Sequence, residues 1–175
     1  MGTALAFVTV NGASLTPLLL QDNGAVLRGA VWRLVTSIIV APPNPTGLGD
    51  VVFNVIALAW LDGLFAQTYS SRQYYAVFLA TGIAGNVFSL ANGPMVTSFG
   101  ASGGIFGLLA GVISFDLATN RKLDLSLVLW FIGVFLVSSF LLASVDWVAH
   151  AGGALLGLGL GYVVGTSRGE DPAAA

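Results

Sequence analysis

The residues best suited to chemistry in this chain are one alcohol and one imidazole. His150 is the only histidine, and Ser102 lies earlier in a similarly apolar setting. A serine hydroxyl is a weak nucleophile until a base takes its proton, and imidazole suits that task near neutral pH. If the two side chains meet, they form a pair able to attack an acyl group. The alternative is a histidine that only hydrogen-bonds between packed helices.

Glycines surround Ser102, with Gly100 before it and Gly103 and Gly104 after it. They permit a tight turn into a helix, whose first N–H groups have no partner within the helix. Such donors can bind the oxyanion of a tetrahedral intermediate, and the amide of Asn54 is a further candidate. Gly-x-Ser-Gly alone indicates helix packing; together with a lone histidine at a matched depth it favours catalysis.

The composition is that of a membrane protein. Of the 175 residues, 56% are hydrophobic and only 8% are charged, which leaves too little polar surface for a water-soluble domain. The net charge of −2 comes without a basic patch, so no nucleic-acid partner is indicated. Cysteine is absent, which excludes disulfides and thiolate metal sites.

Six apolar stretches approach the roughly 20 residues that a helix needs to cross a bilayer. The expected spans are residues 3–20, 51–68, 74–93, 97–118, 123–144 and 146–166. The first is the weakest because Gly12 and Pro17 interrupt it, and it lacks the features of a signal peptide. Between the first two spans lies a long connection, residues 21–50, where we expect short interfacial helices. Its proline-rich run, residues 42–47, cannot continue a helix.

Glycine ladders indicate which helices touch. Glycines recur every fourth residue in the fourth and sixth spans, as Gly103, Gly107 and Gly111, and as Gly153, Gly157 and Gly161. In lipid this spacing lets helix backbones approach closely. We therefore expect these spans to pack together. Ser102, His150 and Asn54 would then share one level, each about one turn inside its span. The sequence predicts a single all-α membrane domain, residues 1–175.

Positive charges predict the orientation of the spans. One side of a six-span bundle carries Arg72, Arg121, Lys122 and Arg168, and the other side carries Arg28 and Arg33. Because cytoplasmic loops are enriched in Lys and Arg, both termini are expected in the cytoplasm. The sequence does not indicate an oligomeric state.

Four motifs carry a family resemblance. Residues 100–103 read Gly-Ala-Ser-Gly, and residues 149–157 fit Ala-His-x-x-Gly-x-x-x-Gly. Trp32 and Arg33 form a Trp-Arg pair in the long connection, and Phe53 and Asn54 stand early in the second span. In this order, the motifs resemble those of the rhomboid family of intramembrane serine proteases, in its bacterial, six-helix form. The resemblance covers the chain from about residue 31 onward.

The resemblance implies a serine endopeptidase in a bacterial plasma membrane. It implies a Ser102–His150 dyad without a third acid, and hydrolysis of peptide bonds in or near the transmembrane segments of substrate proteins. Asn54 and Gly100 would support the oxyanion site, and Phe106 would stack on the imidazole. The bilayer and transmembrane proteins are then the partners. No metal or cofactor is implied.

Two residues depart from the family pattern. Asp50 stands where the family commonly has a histidine that helps to stabilise the oxyanion, and Phe106 stands where it commonly has a tyrosine. Asp50 is expected to cap the second helix, because an ionised carboxylate would otherwise oppose the developing negative charge. Asp146, one turn before His150, is likewise expected to cap a helix; the alternative is that it orients His150. Asp62, deep in the second span, has no preferred explanation.

These departures leave alternatives open. The chain could be a catalytically weak or inactive rhomboid-like protein that binds transmembrane helices without cutting them. A small transporter or channel is a third hypothesis, suggested by polar residues at one depth and by Asp62. It ranks last because inverted repeats and paired interrupted helices are not evident.

Overall fold

The N-terminal part of the chain folds into short elements. The computed structural model describes residues 9–10, 13–137 and 145–169. Its first elements are strands β1 (Thr9–Val10) and β2 (Ala13–Ser14), helix α1 (Thr16–Leu19), strand β3 (Gln21–Asp22), and helices α2 (Asn23–Leu27) and α3 (Arg33–Thr36). Strands β1 and β2 pair antiparallel. From this region, the buried side chains of Gln21 and Asn23 donate hydrogen bonds to backbone carbonyls of residues 86 and 89.

Apolar helices make up most of the rest. They are α4 (Pro45–Thr68), α5 (Ser71–Ser89), α6 (Ser102–Ala118), α7 (Leu125–Leu136) and α8 (Trp147–Gly169). A short 3-10 helix, Leu90–Asn92, extends α5, and strand β4 (Thr97–Ser98) precedes α6 and pairs with β3. Helices α4, α8 and α5 with its extension are long and apolar enough to cross a membrane. Helices α6 and α7 are shorter but apolar.

The first expected span is not a continuous helix where the structure describes it. Residues 9–10 and 13–14 form the paired strands, and α1 is a single turn. Gly12 and Pro17 interrupt the apolar run, and Pro17 stands in the first turn of α1, where its missing N–H costs nothing. Residues 3–8 and 11–12 of the expected span, and 138–144 of the fifth, lie outside the described residues.

Helix α4 begins earlier than expected. Pro45 occupies its first turn, and the side chain of Asn44 caps it by accepting a hydrogen bond of 2.9 Å from the N–H of Gly47. The proline-rich run therefore does not exclude a helix: its last proline starts one, because a proline at the first position needs no N–H donor. Asp50 lies inside α4, so the expectation that Asp50 caps this helix was wrong.

Helix α6 is the centre of the bundle. Most of its residues are buried, among them Leu108, Leu109 and Phe115. It packs chiefly against α8, α5 and α4. A helix that is apolar on all sides is stable only when other helices or lipid cover it. Helix α7 has several strongly exposed apolar side chains, including Leu125 and Leu129, as expected for a lipid-facing helix.

The predicted contact between the two glycine ladders is confirmed. A β-carbon on Gly153 would collide with the carbonyl of Gly103. The same collision relates Gly157 to Gly107 and Gly161 to Gly111. The backbones of α6 and α8 therefore touch along three successive turns.

Candidate active site

Ser102 is the first residue of α6. The expectation that it lies one turn inside its helix was therefore wrong. The expected span from residue 97 instead starts with strand β4 and a turn at Gly100. Gly100 has φ of 99°, a conformation that side chains with a β-carbon rarely adopt. Its N–H donates to the carbonyl of Ser37 at 2.8 Å. The turn thus aims the chain into α6, with Ser102 at the helix N-terminus.

A network of buried amides holds this turn. The side chain of Asn86, on α5, donates to the Ser37 hydroxyl at 2.9 Å and to the Leu34 carbonyl at 2.8 Å. Ser37 in turn accepts from Gly100 through its carbonyl. A hydrogen bond that is fully satisfied inside the protein fixes geometry more firmly than one exposed to water. Asn86 therefore connects α5 to the segment that leads to Ser102.

His150 lies near the start of α8, and Asp146 holds that start in place. One oxygen of Asp146 accepts from the N–H of Ala149 at 3.1 Å, which is the expected N-terminal cap, and from the Asn92 amide at 2.8 Å. The other oxygen accepts a short hydrogen bond from the Ser89 hydroxyl. The carboxylate thereby ties α8 to the end of α5.

The structure brings Ser102 and His150 together. The hydroxyl oxygen Oγ of Ser102 lies 2.8 Å from Nε2 of His150, within hydrogen-bonding distance. The imidazole is buried, with only 3% of the residue exposed. The glycine contacts described above account for this proximity, because only hydrogen side chains let α6 and α8 approach so closely. In this geometry the hydroxyl oxygen can attack a carbonyl carbon while the imidazole takes its proton.

Phe106 lies one turn after Ser102 and against the imidazole. The two ring centroids are 4.4 Å apart, with 31° between the ring planes. On its other side, Phe106 meets Phe131 of α7 edge to face, at 5.5 Å. Phe106 therefore restricts the imidazole by packing, without a hydroxyl group.

Asn54 and Asp50 face the same region from α4. Asn54 is fully buried, and its Nδ2 donates to Oδ2 of Asp50 at 2.8 Å. Within the described residues, its Oδ1 has no hydrogen-bond partner. The Asp50 carboxylate lies against the α-carbon of Gly100, where a β-carbon would collide with it. Asp50 is therefore turned toward the site.

Two cavities meet at Ser102. The larger has a volume of about 550 Å³, and its wall includes Ser102, His150, Phe106, Gly100 and Asp50. The smaller, of about 10 Å³, is lined by Asn54, Ser102 and Phe106 among others. All five residues singled out from the sequence thus border one cavity or both. The larger cavity has room for a short stretch of peptide beside the hydroxyl.

Sequence reasoning missed Asn86, which also lies on the wall of the larger cavity. The available signal was an amide in the middle of an apolar span, since such groups are costly in a membrane unless they are hydrogen-bonded. In the parts of the chain that the structure describes, no group of three His, Asp or Glu side chains is placed to hold a metal ion.

Comparison with known proteins gives a consistent result. A family model described as Rhomboid domain matches residues 28–167. "Rhomboid protease GluP" of Bacillus subtilis (strain 168) is 29% identical over 153 residues, which is 85% of this chain and 29% of that protein. "RHOMBOID-like protein 5" of Arabidopsis thaliana is 32% identical over 82% of this chain and 47% of its own. "Rhomboid-like protease 3" of Toxoplasma gondii is 25% identical over 74% and 50%.

Proposed function

The chain belongs to the rhomboid family, and on that premise we propose that it is a serine endopeptidase of membrane proteins. It is an integral membrane protein with apolar helices, and it spans half or less of the length of the three relatives named above. In the proposed reaction it hydrolyses peptide bonds in or near the transmembrane segments of its substrates. Ser102 is the nucleophile and His150 is the base.

The first half of the reaction forms an acyl-enzyme. Oγ of Ser102 attacks the scissile carbonyl carbon while Nε2 of His150 accepts the hydroxyl proton. The tetrahedral intermediate then collapses, the carbon–nitrogen bond breaks, and His150 gives the proton to the leaving amine. The distance of 2.8 Å between the two atoms supports this direct proton transfer.

Donors for the oxyanion come from two elements. The N–H of Ser102 lies at the N-terminus of α6, where an α-helix offers no acceptor within itself. The Nδ2 group of Asn54 carries two hydrogens, and among the described residues only Asp50 takes one, which leaves the second for the oxyanion. Donors held in place before the reaction stabilise developing charge without reorganisation.

The second half of the reaction needs water. A water molecule attacks the acyl carbon, gives its proton to His150, and releases Ser102 when that proton passes to Oγ. The larger cavity, at about 550 Å³, has room for this water beside the dyad. Hydrolysis then regenerates the free hydroxyl and the neutral imidazole.

The single observation that carries the proposal is the Ser102–His150 contact on the wall of that cavity. To test it, Ser102→Ala and His150→Ala are compared with wild type on a transmembrane peptide in liposomes. Both variants should lose cleavage by at least about a thousandfold, as for other serine nucleophiles and bases. Ser98→Ala, a nearby serine change, should keep it. Cleavage by both active-site variants at the wild-type rate would reject the proposal.

One observation favours a second candidate function. The carboxylate of Asp50 lies against Gly100, near the place where negative charge would develop. A chain whose oxyanion site is weakened by this carboxylate could bind transmembrane helices without cutting them. A fluorophosphonate probe separates the two functions, because it labels only an activated serine. Labelling of wild type but not of His150→Ala supports the protease; an unlabelled wild type supports the binding protein.

The orientation is also a proposal. If α4 to α8 alternate in direction, the ends that carry Arg72, Arg121, Lys122 and Arg168 share one side, which we assign to the cytoplasm of a bacterial cell. This places the C-terminal end of α8 in the cytoplasm. The matching assignment of the N-terminus assumed a helix over residues 3–20, which the described part of that stretch does not form.

A further inference from the structure

We propose that Asp50 selects substrates with a positively charged side chain beside the scissile bond. The inference rests on the proposed function, because it concerns the substrate of the same site. It assigns a substrate class that neither the motifs nor the relatives indicate.

Asp50 is close to the reacting atoms. It lies on the wall of the larger cavity with Ser102 and His150. Its carboxylate is in contact with the α-carbon of Gly100, two residues before the nucleophile. Two residues along a chain lie at most about 7.6 Å apart between α-carbons. A peptide bond held at Ser102 therefore has flanking side chains within reach of this carboxylate.

The carboxylate has capacity to bind a cation. Among the described residues, its one side-chain hydrogen bond comes from Asn54, whereas a carboxylate can accept about four. The cavity wall that the structure describes includes no Lys or Arg. The other carboxylate on that wall, Asp146, is already bonded through both oxygens to Ser89, Asn92 and Ala149. Of the two carboxylates on the described wall, Asp50 is thus the one whose oxygens can accept further hydrogen bonds.

Electrostatics then discriminates between substrates. A carboxylate within a membrane bundle is costly unless an opposite charge is near. A Lys of the substrate supplies that charge at the end of a flexible chain, which adapts to the position of the carboxylate. A Glu at the same position would be repelled. The protein should therefore cleave a Lys-bearing peptide faster than its neutral or acidic counterparts.

The test varies the substrate first. Three transmembrane peptides differ only in carrying Lys, Met or Glu at one position, scanned from two residues before to two after the scissile bond. Wild type in liposomes should cleave the Lys peptide with kcat/KM about tenfold above the Met peptide at one position or more, the size of a partly screened ion pair. The Glu peptide should be slower than the Met peptide.

The variant Asp50→Asn removes the charge but keeps an oxygen that can accept from Asn54. It should cleave the Lys and Met peptides at nearly equal rates. The matched control is Asp62→Asn, the same change at an exposed position of α4 about 18 Å further along the helix. It should keep the wild-type preference for Lys.

Two outcomes would overturn the inference alone. One is equal cleavage of the three peptides by wild type at every position. The other is an Asp50→Asn enzyme that slows all peptides by one factor and keeps their ratios, since Asp50 would then act on the oxyanion or on Asn54. If wild type cleaves none of the peptides, the proposed function fails as well.

Discussion

The backbone of Gly107 occupies the place where a β-carbon on Gly157 would have to lie. This contact is the middle one of three between α6 and α8, and the dyad lies just beyond the first of them, at Gly103 and Gly153. The distance between the nucleophile and the base is therefore set by how closely two backbones approach. A side chain added at one of these glycine contacts should change catalysis without touching either catalytic residue.

Gly157→Ala should push α8 away from α6. Overpacking of this kind costs about 1–3 kcal/mol, so both the unfolding temperature in detergent and kcat/KM should fall. Gly159→Ala, two residues further on, is the control, because a β-carbon there meets no atom of the described residues within 4 Å. It should behave like wild type in both measurements. If the two variants unfold at the same temperature, the glycine contacts are not what allows α6 and α8 to pack closely.

Gly100→Ala combines two costs. Alanine is strained at φ of 99°, by about 1–3 kcal/mol, and its β-carbon would collide with the Asp50 carboxylate. Gly93 has φ of 92°, but a β-carbon there would meet none of the residues that the structure describes, so Gly93→Ala carries only the strain. Thermal unfolding should rank Gly100→Ala below Gly93→Ala, and only Gly100→Ala should also lose peptide cleavage. The reverse ranking would show that Asp50 does not crowd Gly100.

Phe106→Leu should release the imidazole. Ring contacts of this kind contribute about 0.5–1.5 kcal/mol, so kcat should fall between about twofold and tenfold while KM changes little. Phe106→Tyr keeps the ring and is the control. Steady-state cleavage of one peptide by both variants measures the difference. If the leucine and tyrosine enzymes turn over equally, the ring does not position His150.

Asp146→Ala should loosen the start of α8. It removes the cap on Ala149 and the ties to Ser89 and Asn92, and loss of an N-terminal cap typically costs about 0.5–2 kcal/mol. Asp146→Asn retains an acceptor oxygen for the cap and should recover most of the stability. Unfolding temperature and kcat/KM should fall together in the alanine variant. Full activity with lowered stability would mean that the hydrogen bonds of Asp146 do not position His150.

The central part of the fold could be predicted from the sequence because it depends on one repeated spacing. Glycines four residues apart predicted the contact of α6 with α8, and the contact predicted that Ser102 and His150 would meet. The stacking of Phe106 on the imidazole was implied by the family resemblance, from its place one turn after Ser102. In each case the geometry follows from the regular spacing of residues along a helix, and this spacing can be read from the sequence.

The other features depend on residues far apart in the chain. The Asp50 carboxylate contacts Gly100, which lies 50 residues further along the chain, and no local pattern in the sequence links the two. Asn86 acts through Ser37, 49 residues away. The starts of α4 and α6 also differed from expectation, because capping by Asn44 and pairing of β3 with β4 outweigh apolar composition there.

The amide of Gln21 donates to Asn23 at 2.7 Å and to the carbonyl of Asn86 at 2.8 Å, and Asn23 donates to Ser89. The two carbonyl partners, Asn86 and Ser89, lie 65 and 66 residues further along the chain than their donors. A ribosome adding about 5–20 residues per second makes residue 86 several seconds after residue 21. During that interval the early segment has to wait, with its amides in contact with water or the translocation machinery, until α5 arrives. Biogenesis of the site therefore has an order, in which residues 21–23 are made first and dock only after α5.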